Sequence, residues 1–205
     1  MIKLTDEEQK IASKIKQLKE AAGSHSPSIF TIVEQLPELN IEVDACFLSN
    51  PYATELFLKY LKEELVDTGK LRDVLEFYPS QNDIIADVIS KSININKENI
   101  FVGNGAIEVI QSVMHNFVGK KIIVNIPTFS SYYEFAREDT EVVYYQLDKK
   151  DNYSLMTDKY LEFVKKENPD SVVIINPNNP NGGYLKYKEL RYILNNLKEI
   201  ENIII

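Results

Sequence analysis

The chain has 205 residues, 44% of them hydrophobic and 26% charged, a balance that excludes disorder and gives enough length to bury a core. A formal net charge of −8 excludes the clustered excess of Lys and Arg that binds nucleic acid or an anionic membrane, and favours small-molecule chemistry. A single cysteine, Cys46, excludes an internal disulfide framework, and with only two histidines no dedicated zinc site is expected; no apolar run is of membrane-spanning length and no signal core opens the chain, so a reducing cytoplasm is the expected compartment.

Thr5 and Glu8 stand at capping-box spacing ahead of Ile11, Ile15 and Leu18 on one face, predicting an amphipathic helix. Ser26 reads as an N-cap and Pro27 as the first residue of a second helix ending near Leu36. Residues 1–44 are thus expected to form an amino-terminal helical arm or part of a small domain, and 45–205 a larger domain. Residues 45–48 predict a short strand, stopped by Ser49-Asn50-Pro51-Tyr52, and 54–65 a helix. From Asn82 onward helices (83–91, 106–117, 130–138, 157–166, 186–198) alternate with strands (100–102, 121–126, 141–147, 171–175, 202–205). The strands are Ile- and Val-rich, too apolar for a half-exposed sheet. The expected fold is therefore α/β, with a largely parallel sheet covered by helices on both faces. The last strand has no terminating residue and no helix after it, which reads as a truncated chain.

The most informative segment follows the run 171–175: Asn176-Pro177-Asn178-Asn179-Pro180-Asn181-Gly182-Gly183. Proline lacks the ladder donor and glycine favours positive φ, so the strand must end there and display its amides. A crevice outside the carboxyl ends of parallel strands is where such sheets hold ligands. A second candidate is Gly103-Asn104-Gly105-Ala106-Ile107-Glu108, a glycine turn opening a helix, whose free amides suit a phosphate but equally describe an ordinary tight turn. It is not a full dinucleotide fingerprint, because Glu108 replaces the third glycine. In Pro127-Thr128-Phe129 the aromatic can lie against a planar ring or simply pack in the core. Tyr78, before Pro79, offers a hydroxyl to an anion or merely a wet tip. His25 among Ser24, Ser26 and Ser28 suits an anionic substrate group, with helix capping as the plainer explanation.

Taken in order, Tyr78-Pro79, the 103–108 turn, Pro127-Thr128-Phe129 and the 176–182 loop resemble the fold-type-I pyridoxal-phosphate (PLP) enzymes. Among these the sequence is most similar to the histidinol-phosphate aminotransferase branch of the class I/II aminotransferases, over roughly 45–205. The resemblance implies that the amides of Gly105, Ala106 and Ile107 hold the cofactor phosphate, that Phe129 stacks on the pyridine ring and that Asn179 bonds its phenolic oxygen. It also implies a homodimer with shared active sites, in which Tyr78 reaches the neighbouring subunit's cofactor. Ala106 departs from the family's frequent serine, removing one hydroxyl contact. Asn50 resembles the family's substrate-side asparagine.

The family's aspartate at the pyridine nitrogen, its Schiff-base lysine and its carboxylate-binding arginine are all expected beyond Ile205; Lys186 and Lys198 stand where the family has no such lysine. By resemblance the function is an aminotransferase acting on a small or phosphorylated amino acid or amino alcohol. The alternative is a PLP-dependent decarboxylase of a phosphorylated amino acid, motivated by His25 and its serines. A third reading, outside catalysis, is a non-catalytic fragment of such an enzyme. The 205 residues alone are expected to lack transaminase activity, since the nucleophilic step has no lysine; glutamate-dependent turnover on adding PLP would overturn this.

Overall fold

In the computed structural model, which describes residues 4–22, 27–43, 49–79 and 81–205, the chain divides into two compact units, Met1–Ser80 and Gln81–Ile205. The first is helical. Helix α1 (Asp6–Ala21) starts on the expected capping box, with the Thr5 amide donating to the Glu8 carboxylate at 2.6 Å and the Glu8 amide to Thr5 Oγ1 at 3.2 Å. That bonding, foremost the Thr5 amide, holds the Glu8 carboxyl below its usual range. Helix α2 (Ile29–Gln35) corrects one expectation: its cap is Ser28, whose hydroxyl accepts from the Thr31 amide at 3.1 Å, so Pro27 precedes the helix. Ser26 lies outside the described residues, as does the strand expected at 45–48.

Helix α3 (Pro51–Tyr60) begins three residues earlier than expected because Asn50 caps it, Oδ1 accepting from the Ala53 amide at 3.1 Å, and Pro51 sits at the first helical position. It continues through a π-helical segment, Leu61–Val66, and α4 (Leu71–Glu76) completes the unit.

In the second unit α5 (Asn82–Ile93) is followed by residues 100–102, expected as a strand. They pair with none of the described strands, and the Val102 carbonyl accepts from Asn82 Nδ2 at 3.3 Å instead. Next come α6 (Ala106–Phe117), β1 (Lys121–Ile126), α7 (Ser131–Glu134) and β2 (Glu141–Gln146). The expected 130–138 helix shrinks to four residues. Tyr132, Tyr133 and Phe135 turn into the core, and Arg137 Nη1 donates to the carbonyls of His115 and Val118 at 2.9 Å each, drawing the chain away from helical geometry. The unit closes with α8 (Thr157–Glu167), β3 (Ser171–Val173), α9 (Tyr187–Asn196) and β4 (Asn202–Ile204), all near their expected limits.

The four strands form one parallel sheet in the order β2-β1-β3-β4. Ile122, Ile123, Val124, Val172 and Val173 are at most 1% exposed, as a sheet covered on both faces requires. One face packs Ile123, Val172 and Ile174 with Tyr160 and Val164 of α8 and Ile193 of α9. The other packs Ile122, Val124 and Val173 with Met114 of α6 and Tyr132 and Tyr133 of α7. The chain thus leaves β1 toward α7 on one face and leaves β3 toward α9 on the other. Right-handed crossovers demand this when the strand order reverses at β1.

The base of the sheet is pinned by Asp170, whose Oδ2 accepts from the amides of Lys120 and Lys121 at 2.8 and 2.9 Å. Tyr160 in the core is fully buried, and its hydroxyl has no partner among the described residues. Burial pushes that hydroxyl's pKa well above its ordinary 10.0, so the folded state keeps a proton that the unfolded chain releases. Stability should therefore fall as pH rises past 10.0. Tyr160→Phe is expected to leave stability at neutral pH unchanged or raised by up to about 1–3 kcal/mol, the cost of an unsatisfied buried group, and to flatten that alkaline fall; urea denaturation at pH 7 and above 10 checks both.

Candidate functional site

Strand reversal at β1 creates a crevice outside the carboxyl ends of β1 and β3, where the loops part to opposite faces. Two predicted motifs line it: Pro127-Thr128-Phe129 after β1 and the amide loop 176–183 after β3. The Ile126–Pro127, Asn176–Pro177 and Asn179–Pro180 peptides are cis.

The amide loop's four asparagines divide the work. Asn176 clasps the loop's base, Nδ2 donating to the Leu185 carbonyl at 3.2 Å and Oδ1 accepting from the Leu185 amide at 2.8 Å. Asn181 Nδ2 donates to the Tyr153 carbonyl at 2.8 Å, while its Oδ1 accepts from the Gly183 amide at 2.9 Å. Asn178, 8% exposed, crosses the crevice: Oδ1 accepts from Thr128 Oγ1 at 2.9 Å, and Nδ2 donates to the Pro127 carbonyl at 3.0 Å and Asn181 Oδ1 at 2.9 Å. The Asn179 side chain is exposed and, among the described residues, makes no hydrogen bond. Gly182 holds φ +68, a turn conformation that side chains resist.

The other wall is the start of α6. Gly105 is its N-cap at φ +87, with open space where a Cβ would stand. The first backbone bond of the helix runs from the Val109 amide to the Gly105 carbonyl, so the amides of Ala106, Ile107 and Glu108 have no intrahelical acceptor. Gly105's own amide donates to the Gly103 carbonyl at 3.0 Å, which leaves the free donors of this turn one residue further on than the resemblance implied. Glu108's carboxylate accepts from the Asn104 amide and braces the turn. A Cβ on Gly103 would stand 2.8 Å from Val109 Cγ2, so the close turn requires glycine there.

The helix start and the β1 loop share a neighbour. Tyr132, with Ala106, lines an apolar cleft of about 300 Å³ and meets the half-buried Phe129 edge-on at 6.5 Å and 78°. Ala106, Tyr132 and Phe129 are therefore successive neighbours, and the Thr128–Asn178 bond ties the amide loop to the same β1 loop. The donor set is neutral: helix amides, one amide side chain and one aromatic face. It fits a planar ring carrying a phosphate, the anion being met by the positive end of the α6 dipole.

A separate cavity of about 190 Å³ beneath the amide loop is lined by Asn125, Tyr153, Ile175 and Leu185 among others. Asn125 is 4% exposed, and its Oδ1 has no partner among the described residues. The cavity is polar and roomy enough to hold water.

In the first unit Tyr78 is 99% exposed, and the Asn50 Oδ1 is engaged in capping α3. His25 lies outside the described residues. Among the described residues no cluster of side chains could hold a metal ion, and no helix is long and apolar enough to cross a membrane. Thr128, Asn178 and Glu108 escaped the residue-by-residue reading because their roles are bonds to other loops or to the turn backbone; their place inside the motifs was the one available signal.

The family model for aminotransferase class I and II matches residues 49–205. An L-serine phosphate decarboxylase of Campylobacter jejuni is 70% identical across all 205 residues, which are 53% of its own length. The solved structure of a decarboxylase from Sulfurospirillum multivorans is 45% identical with a TM-score of 0.85, over 95% of this chain and 50% of that one. The histidinol-phosphate aminotransferase of Clostridium acetobutylicum is 28% identical with a TM-score of 0.58, over 77% of this chain and 43% of that one. The chain thus spans about half the length of the relatives it matches. It belongs to the aminotransferase class I and II family of fold-type-I, PLP-dependent enzymes.

Proposed function

We propose that this chain supplies the amino-terminal half of a PLP-dependent decarboxylase of a phosphorylated amino acid, with L-serine phosphate as its substrate. The observation that carries the reading is the 70% identity, over the whole chain, to an L-serine phosphate decarboxylase. This favours the decarboxylase alternative over the aminotransferase expectation, whose histidinol-phosphate relatives match more weakly and over less of the chain.

When bound, PLP supplies an electron sink for the pair left at the substrate's Cα as the carboxyl group leaves as carbon dioxide. The chain's own residues bind and orient. The amides of Ala106, Ile107 and Glu108 would receive the cofactor phosphate, Phe129 would lie against the ring and the free Asn179 amide would donate to the phenolic oxygen. A neutral amide at that oxygen moderates its charge without fixing it as a cation would. The residues that hold the cofactor covalently and pair with its ring nitrogen would come from the remaining part of the polypeptide, since the relatives are about twice as long.

We further propose a cytoplasmic homodimer with shared active sites. The family resemblance, in which Tyr78 reaches the neighbouring subunit's cofactor, supports this assembly.

Two measurements test this reading on the complete polypeptide. Carbon dioxide should be released from L-serine phosphate with no 2-oxo acid present; strict dependence on 2-oxoglutarate would return the protein to the aminotransferases. Gly105→Val, which forces a β-branched residue into φ +87, should raise the PLP dissociation constant at least about tenfold, the equivalent of roughly 1–3 kcal/mol of backbone strain. Unchanged PLP affinity would remove the α6 start from the site.

A further inference from the structure

We infer that Asn178 and Thr128 together are positioning residues that set the ring-stacking face of Phe129 against the amide of Asn179; the inference rests on the cofactor reading above. Phe129 and Asn179 are each the next residue after a member of one hydrogen-bonded pair, Thr128 and Asn178, which lie fifty positions apart in sequence. Each belongs to a loop that departs to a different face of the sheet, so chain connectivity does nothing to fix their separation. Asn178 does. Its side chain makes three bonds, two of them to the β1 loop, and its backbone closes its own loop through Asn178 N to the Gly183 carbonyl at 2.7 Å and Gly182 N to the Asn178 carbonyl at 2.8 Å.

The geometry also explains a division of labour within one motif. Asn178 and Asn179 are chemically identical neighbours, yet Asn178 is 8% exposed with its amide fully engaged, whereas Asn179 is exposed and makes no bond to a described residue. A buried amide satisfied by three partners is rigid, because breaking any of them strands a polar group out of water. Thr128 supplies the one hydroxyl in that set. Its removal leaves Asn178 Oδ1 without its donor and frees the amide to rotate, carrying Asn179 out of register with Phe129.

The test compares Thr128→Val, which keeps the shape and loses the hydroxyl, with Thr128→Ser, which restores the hydroxyl, and with Asn178→Ala, all in the complete polypeptide. In the cofactor-free protein, Thr128→Val should speed hydrogen exchange at the Gly182 and Gly183 amides of the opposite loop as well as at 128–130, and Thr128→Ser should reverse both. In the PLP-loaded protein, Thr128→Val and Asn178→Ala should weaken PLP binding about tenfold, the scale of one stranded buried hydrogen bond, and change the circular dichroism of the cofactor band per bound cofactor; Thr128→Ser should restore both. Exchange that quickens only within 128–130, or a cofactor band unchanged in Thr128→Val, overturns the inference. If the unsubstituted protein takes up no PLP, the functional reading fails, while the exchange arm still decides whether the clasp exists. If Asn178→Ala does not fold, the two Thr128 variants decide alone.

Discussion

Parallel pairing of β1 with β2 on one side and β3 on the other is the constraint from which the rest of the second unit follows. Parallel neighbours cannot be joined by a tight turn, so each connection must cross a face of the sheet, and the hand of the crossover fixes which face. Placing β2 and β3 on opposite sides of β1 therefore sends α7 to one face and α8 and α9 to the other. The buried Ile and Val of β1 and β3 follow from being covered twice. The crevice between the diverging loops follows from the same reversal, before any ligand is considered.

That crevice offers neutral groups. The chain is acidic overall at −8, yet the start of α6 presents free backbone amides and the positive end of its dipole, which suit an anion without any lysine or arginine. Glycine makes it possible twice over, at Gly103 because a Cβ would meet Val109 and at Gly105 because of its positive φ. Asparagine does the complementary work on the opposite wall. Three of its four copies in the amide loop are committed to holding shape, and the fourth is left facing outward.

Family membership and activity are separate conclusions. One fold hosts several chemistries, so the motifs, which resemble the histidinol-phosphate aminotransferase branch, carried an aminotransferase expectation with the decarboxylase kept as its alternative. The 70% identity over the whole chain is to an L-serine phosphate decarboxylase, and the proposed reaction rests on that identity.

The sequence by itself determined whatever depends on local chemistry. The Thr5–Glu8 capping box and the limits of α6 and β1 need only near neighbours, and each appears as read, whereas β3 ends at Val173, two residues short of the expected limit. Tertiary structure decided what depends on partners distant along the chain. Residues 100–102 have strand composition but pair with none of the described strands, and the helix read at 130–138 loses its second half to core aromatics and to Arg137. The cap of α2 moved from Ser26 to Ser28 because two serines flank one proline and only geometry selects between them. The separate roles of Asn178 and Asn179 were likewise invisible, since identical adjacent residues differ only in what the β1 loop brings to meet them. Hydrogen bonds across fifty positions are a property of the fold, because the strand order that brings their ends together is written nowhere in either segment.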